Sequence, residues 1–81
     1  MTEREELVVK RNMDFLNTFS PESGQRVLEY LSKVLYEKIP TYVDNNPMGT
    51  AFNEGKRFAI LEIRHWLDMD ISKLFKEQKD E

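Results

Sequence analysis

Apolar residues recur along this chain with the three-to-four-residue spacing of amphipathic α-helices, and polar residues mark where each helix begins or ends. The first run follows Thr2, which stands three residues before Glu5 in the pattern of a capping box. Because Pro21 disfavours helical geometry at the residue before it, a first helix is expected over about residues 3–18. Its apolar stripe comprises Val8, Phe15, Leu16 and Phe19, widened by Leu7, Val9 and Met13.

The second run has the clearest amphipathic pattern and predicts a helix over about residues 21–38. Ser20 is a suitable N-cap, and Pro21 suits the first helical position, where a missing N–H costs nothing. The pattern stops before Pro40. Its continuous apolar face comprises Gly24, Val27, Leu28, Leu31, Val34 and Leu35.

Residues 39–50 contain prolines, asparagines and a glycine, and they predict a long loop. A loop of this length is a candidate contact surface, and Tyr42 and Val43 are placed to fold back onto the helices. Thr50 is the expected cap of a third helix over about residues 51–67. The apolar stripe of this helix comprises Phe52, Gly55, Ala59, Ile63, Trp66 and Leu67.

The segment after the third helix has two open interpretations. Ile71, Leu74 and Phe75 prolong the stripe, whereas Asp70 suits a new N-cap, so residues 71–77 either continue the third helix or form a short fourth one. Residues 1–2 and 78–81 are expected to be frayed ends. Since no segment alternates with a two-residue period, the predicted fold is all-α. It is a single domain over residues 1–81, a small three-helix bundle with or without the short C-terminal fourth helix.

The composition of the chain excludes several kinds of site and makes several kinds of partner unlikely. The chain has no cysteine, which excludes disulfides and thiolate zinc sites, and no apolar run approaches the ~18 residues of a membrane span. The charged start is not followed by a signal-peptide core, so export by a classical route is not expected. Twelve basic and fifteen acidic residues give a net charge of −3, which makes nucleic acid an unlikely partner because phosphate binding needs a clustered basic face.

The sequence offers little reaction chemistry. His65 is the sole histidine, and Asp68, Asp70 and Ser72 resemble the opening of a calcium loop that lacks the required glycine and the final glutamate. Gly55 and Lys56 lack the rest of a phosphate-binding loop, and no serine stands in a recognisable nucleophile motif. We therefore expect no catalytic residues, no bound cofactor and no metal, and a protein that is not an enzyme.

Two glycine–polar–arginine steps stand at matching places in the second and third helical patterns. Gly24 and Gly55 are candidates for a close crossing of the two helices, since a helical glycine costs roughly 1 kcal/mol relative to alanine. Arg26 and Arg57 either lie solvated along the helices or point towards acidic partners. Arg26, Arg57, Tyr42 and Trp66 are the candidate partner contacts.

The nine aromatic residues are many for a bundle of this size. Trp66, Phe52, Phe58 and Phe75 are expected in the core, but an 81-residue bundle does not easily bury all nine rings. One or two are therefore expected on an exposed apolar patch. An isolated chain of this kind should be marginally stable or self-associate.

Segments 19–31 (FSPESGQRVLEYL) and 50–63 (TAFNEGKRFAILEI), joined by a proline- and asparagine-containing loop, resemble a family of small bacteriophage proteins encoded among the structural genes of tailed phages. The matching positions are Gly24, Val27, Leu28, Leu31, Glu54, Gly55, Arg57 and Ile63, and the likeness covers roughly residues 14–67. Ser23 is an extra residue relative to the tighter version of the pattern.

This resemblance implies a non-catalytic virion-associated or assembly protein that contacts larger phage proteins, such as portal, coat or internal proteins. It would reside in the virion and, during assembly, in the host bacterial cytoplasm. One alternative is a cytoplasmic phage adaptor or regulator that binds a host protein. A weaker alternative is a helical DNA-binding regulator, although the long loop between the second and third helices does not fit a helix-turn-helix.

Overall fold

The computed structural model describes residues 1–74 and has the predicted all-α architecture. Helix α1 spans Glu3–Phe19, α2 spans Glu22–Val34 and α3 spans Pro47–Asp68. Helix α1 packs against both α2 and α3, while the direct contact between α2 and α3 is smaller. A short fourth helix follows at residues 72–74, and no strand occurs within residues 1–74. The predictions for residues 75–81, including a core position for Phe75 and a frayed 78–81, lie outside the described residues.

The capping box predicted at the start of α1 is confirmed. The Glu5 N–H donates to Thr2 Oγ1 over 3.1 Å, and the Thr2 N–H donates to Glu5 Oε1 over 3.0 Å. These bonds satisfy N–H groups that the first turn leaves free, so Thr2 is held rather than frayed. Three glutamates in the first turn also complement the helix dipole.

The junction between α1 and α2 differs from the prediction by one residue. Ser20 keeps helical geometry and donates its N–H to the Leu16 carbonyl, so it ends α1 instead of capping α2. Pro21 takes the extended N-cap position (φ −61°, ψ 157°), and no side chain caps α2. The chain therefore reverses within two residues, which brings the start of α2 against the last turn of α1.

Helix α2 ends at Val34, four residues before the predicted end. Tyr36 adopts a left-handed conformation (φ 63°), and the Glu37 N–H donates to the Ser32 carbonyl over 3.1 Å. This is the bonding of a Schellman motif, which usually has glycine at the left-handed position. The expected extension to residue 38 was wrong because the sequence has no glycine there to mark the stop.

Helix α3 begins at Pro47, so the loop is shorter than the predicted 39–50. The Asn46 side chain accepts the Gly49 N–H over 2.8 Å, and Pro47 stands at the first helical position. The prediction that Thr50 caps α3 was therefore wrong. Thr50 lies one turn inside the helix, and its hydroxyl accepts the Val43 N–H over 2.8 Å.

The end of α3 is a break, which decides between the two interpretations of the last segment. Met69 is extended (φ −62°, ψ 130°), and the Asp70 carboxylate accepts the Ser72 N–H over 3.0 Å. This is the capping role expected of Asp70. The residues after 70 start a new helix and do not continue α3.

The core of the described residues is small. Leu28 and Ile60 are the buried hydrophobic residues, whereas thirteen large hydrophobic residues are exposed. The accessible surface is 6474 Å², against roughly 5,100 Å² for a compact monomer of this mass. The radius of gyration is 16.5 Å, against roughly 12 Å for a compact domain of this length. The three helices thus leave much of their apolar surface in contact with solvent.

Candidate protein-binding surfaces

The two glycines singled out by the sequence have different environments. A Cβ at Gly24 would overlap the carbonyl oxygen of Thr18 and lie 2.7 Å from the Phe19 Cα, so α2 touches the backbone of the α1 end here. Among the residues that the structure describes, a Cβ at Gly55 would meet nothing within 4 Å. The prediction that Gly24 and Gly55 face each other across a helix crossing was wrong. Gly24 serves the α1–α2 contact, and Gly55 lies on an open surface.

The four candidate contact residues are not gathered in one place. Arg26 is exposed on α2, and Tyr42 is 71% exposed in the loop, where both are accessible to a partner. Arg57 and Trp66 are half-buried on α3. The expectation that Tyr42 and Val43 fold back holds for Val43, which is half-buried, but not for Tyr42.

Trp66 takes part in the contact between α1 and α3. Its ring stacks on Phe15 with 6.2 Å between centroids, and the Arg11 guanidinium lies 5.0 Å from the ring centroid. Its indole N–H donates to Glu62 over 3.0 Å. These interactions hold one ring face and the polar edge within the protein. Trp66 therefore belongs to the helix packing, as the apolar pattern predicted for it.

Asn12 is a structural residue that the sequence pattern did not identify. It is 4% exposed, and its side-chain amide donates to the Trp66 carbonyl over 2.7 Å. Trp66 lies in the last turn of α3, where carbonyls have no partner within the helix. The side chain of Asn12, in the middle of α1, thus provides a hydrogen-bond donor for a carbonyl at the end of α3. The available sequence signal was the position of Asn12, four residues after Val8 and three before Phe15, which places a polar residue on the apolar stripe of α1.

The loop after α2 is fixed to α3 by hydrogen bonds. Buried Thr41 donates its hydroxyl to Glu54, and the Asn53 side chain donates to the Thr41 carbonyl over 3.1 Å. Together with the Val43–Thr50 bond, these contacts hold the loop along the first two turns of α3. The predicted contact loop is therefore an ordered part of the α3 surface.

An ion pair joins the end of α2 to α3. Arg64 donates Nε to Glu37 Oε2 over 2.8 Å and Nη2 to Oε1 over 3.0 Å, and the Ser32 hydroxyl also donates to Glu37 over 2.7 Å. The Glu37 side chain is 11% exposed and that of Arg64 is 35% exposed. The hydrogen bond from Arg64 is the main cause that lowers the pKa of Glu37 below its ordinary value of 4.5, and the same bond raises the pKa of Arg64.

Glu37→Gln is expected to lower the free energy of unfolding at pH 7 by about 1–2 kcal/mol, because a charged hydrogen bond is lost at a site that solvent partly screens. The lowered pKa means that the Glu37 carboxylate stabilises the fold above pH 4.5 and that this contribution disappears as the pH falls below it. Denaturant titrations between neutral and acid pH check both points. Glu29→Gln is the control, since Glu29 pairs with Lys33 at an exposed site. Equal losses in the two variants would contradict the proposed contribution of Glu37.

Two of the exposed apolar surfaces among the described residues lie on α2 and α3. The first, the α2 stripe, consists of Val27 (52% exposed), Tyr30 (64%) and Val34 (40%), which lie along one side of α2. The second, the α3 face, consists of exposed Met48, Ala51, Phe52, Gly55, Phe58 and Ala59. The expectation that Phe52 and Phe58 are core residues was wrong, because the inward side of α3 carries Ile60 and the aromatic pair lies on the other sides.

Each of these surfaces borders an open groove. A groove of about 210 Å³ beside the α2 stripe is lined by Thr18, Phe19, Ser23, Gly24 and Val27. A groove of about 430 Å³ beside the α3 face is lined by Tyr42, Val43, Asn45, Asn46, Pro47, Thr50 and Ala51. Both lie between an exposed helix and a neighbouring turn or loop, which gives each apolar surface a concave edge.

Within residues 1–74, no group of histidine, cysteine, aspartate or glutamate side chains is arranged to hold a metal ion. None of the helices in that range is long and apolar enough to cross a membrane.

A family model described as Bbp19-like phage protein matches residues 15–79. The chain belongs to the Bbp19-like phage protein family. This result confirms the phage origin that the resemblance implied. No curated protein and no solved structure matches the chain.

The Bbp19-like segment begins in the last turns of α1 and contains all of α2 and α3. The α2 stripe, the α3 face and both bordering grooves therefore lie within the matched residues, as does the Glu37–Arg64 pair. The capping box and Asn12 lie before it. Both candidate surfaces are thus built from family-matched residues.

Proposed function

We propose that this phage protein is a non-catalytic structural or virion-associated component that packs against a larger virion protein, such as a portal, coat or internal protein. The observation that carries the proposal is the incomplete core, with two buried hydrophobic residues and thirteen large exposed ones among those described. Monomeric proteins rarely leave large contiguous apolar patches in water, and such patches mark protein interaction sites. A partner that covers them completes the hydrophobic core.

The α2 stripe is the proposed contact with the larger virion protein. Val27, Tyr30 and Val34 are spaced i, i+3 and i+7, the spacing of anchors that pack into a groove on a partner. Arg26 lies one turn before Tyr30 and provides a charged rim. Tyrosine and arginine are among the residues that contribute most to binding energy at interfaces.

The lack of a catalytic role is supported by the inventory of reactive groups. The sequence has one histidine and no cysteine. Glu37 and Arg64 are two of the described side chains whose pKa values are displaced. They form an ion pair that joins the end of α2 to α3. A carboxylate held by an arginine in this way is stabilised in its charged form and is a poor proton donor or acceptor near neutral pH.

The many copies of a protein in a symmetric particle make weak contacts effective. Each copy offers only a short stripe, but linked contacts add through avidity when the geometry allows several to form together. A partner that binds the folded form also raises its stability by mass action. Both effects suit a small domain that would be marginally stable alone.

The test is quantitative mass spectrometry of purified particles from a phage that lacks the gene and is supplied with wild-type or variant protein. We expect wild type at a reproducible copy number and Tyr30→Glu at least ten-fold lower, a loss equivalent to about 1.4 kcal/mol of binding. Lys33→Gln is the control because it changes the net charge by the same amount at a 73% exposed side chain on α2. Equal melting temperatures of the two purified variants show that the loss is not one of folding.

Two results would contradict the proposal. Wild-type protein that is absent from particles and recovered with a host protein would favour the alternative of a phage adaptor or regulator. Equal incorporation of Tyr30→Glu and Lys33→Gln would show that the α2 stripe is not the contact.

A further inference from the structure

The α3 face has a symmetric composition about Gly55. Counting in both directions from Gly55, phenylalanines stand three residues away (Phe52 and Phe58) and alanines stand four residues away (Ala51 and Ala59). All five residues are exposed. We propose that two copies of this chain associate through this face as an antiparallel pair of α3 helices, with the two-fold axis beside Gly55. This inference is independent of the partner proposed for the α2 stripe.

The two-fold symmetry pairs large residues with small ones. Residues seven apart lie on nearly the same side of a helix, so Phe52 and Ala59 share one edge of the face, and Ala51 and Phe58 share the other. In an antiparallel two-fold pair, each edge meets its own copy running in the opposite direction. Phe52 therefore packs on Ala59 of the second copy, and Phe58 packs on Ala51 of the second copy.

Gly55 allows the two helices to approach closely. A Cβ at this position would have nothing within 4 Å, so the middle of the face is open and flat. A glycine in the interior of a helix costs about 1 kcal/mol of stability relative to alanine. A close contact between two backbones at Gly55 gives this cost a physical reason, which contacts within the described part of one chain do not supply.

The groove beside Ala51 has room for an aromatic ring. It has a volume of about 430 Å³, and Pro47, Thr50 and Ala51 of α3 line it together with Tyr42 and Val43 of the loop. The antiparallel pairing places Phe58 of the second copy on this edge of α3. Phe58 is 70% exposed in the single chain, and the groove is open among the described residues.

Charge and area are also compatible with a pair of identical chains. The six residues of the face are uncharged, with Lys56 Nζ at its edge 4.7 Å from the Phe52 ring centroid. The next residue in the pattern, Glu62, meets the Met48 end of the second copy, so the two Glu62 carboxylates lie at opposite ends of the pair. The exposed parts of Met48, Phe52 and Phe58 with the small residues amount to roughly 500 Å² per copy, so the pair buries roughly 1,000 Å², the lower limit for a specific interface.

The association is tested by sedimentation equilibrium of the full chain at up to about 100 µM, which populates a dimer of micromolar dissociation constant. We expect twice the chain mass for wild type and the single-chain mass for Gly55→Glu. Because position 55 is open and glycine is the poorer helix former, Gly55→Glu should keep or raise the melting temperature measured at protein concentrations too low for dimers to form. Loss of the dimer then cannot come from unfolding.

The register is tested with engineered cysteines, since the chain has none of its own. Gly55→Cys should form a disulfide-linked dimer under mild oxidation, whereas Leu61→Cys, 44% exposed but off the face, should not. A mixture of Phe52→Cys and Ala59→Cys chains should cross-link more than either alone. A single-chain mass for wild type at every concentration would overturn the proposal. A dimer that persists in Gly55→Glu, or cross-links equally at positions 55 and 61, would also overturn it.

Discussion

Replacing Gly24 with alanine is expected to lower the free energy of unfolding by about 3 kcal/mol, whereas the same replacement at Gly55 is expected to raise it by about 1 kcal/mol. The added methyl at position 24 would overlap the Thr18 carbonyl oxygen and approach the Phe19 Cα, and both are backbone atoms that cannot rotate away. The methyl at position 55 would meet nothing within 4 Å. Each substitution replaces a helical glycine with alanine, so the difference in stability between the two variants reflects only the atoms that surround each position.

Thermal unfolding followed by circular dichroism at low protein concentration measures this difference. A change of 1 kcal/mol corresponds to roughly 4–8 °C in a domain of this size, so the two variants should melt well apart on opposite sides of wild type. Similar melting temperatures for Gly24→Ala and Gly55→Ala would contradict the close contact between the start of α2 and the end of α1.

Asn12→Asp is expected to destabilise the protein at pH 7 by about 3 kcal/mol. The substitution replaces the amide that donates to the Trp66 carbonyl with a carboxylate of the same shape, and at 4% exposure the new charge would be buried against another oxygen. Burial and the facing carbonyl raise the pKa of the new aspartate in the folded state. A protonated carboxyl can donate to Trp66, so part of the loss should be recovered as the pH falls through that pKa.

Denaturant unfolding of Asn12→Asp is compared with that of the control Asn17→Asp, which adds the same charge at an exposed position of α1. The change in the free energy of unfolding caused by Asn17→Asp should depend little on pH. If Asn12→Asp also showed no recovery at acid pH, the Asn12–Trp66 hydrogen bond would not be the reason for the loss.

Local helix chemistry could be predicted from the sequence. The Thr2–Glu5 capping box and the break at Asp70 depend on residues within one turn of each other. The capping box is present as expected, and the break is one of the two interpretations that the sequence left open. The errors at helix ends have equally local causes. Tyr36 takes a left-handed role usually filled by glycine, and Pro47 starts a helix although prolines generally mark loops.

The surroundings of individual side chains could not be predicted in the same way. Gly24 and Gly55 stand in nearly identical local patterns, yet one touches a backbone and the other is open, because only the packing of α1 distinguishes them. Asn12 finds its partner 54 residues away. Phe52 and Phe58 fit a core pattern, but the small frame has no further layer to cover them, and this is a property of the whole fold.

In the proposed function, a larger phage protein covers the α2 stripe. Hydroxyl-radical footprinting measures it directly, since the oxidation rate of Tyr30 follows its exposure to solvent, 64% in the free chain. We expect that Tyr30 reacts readily in the free protein and is strongly protected in the same protein within purified phage particles. An equal rate of Tyr30 oxidation in the free chain and in the particle would contradict it.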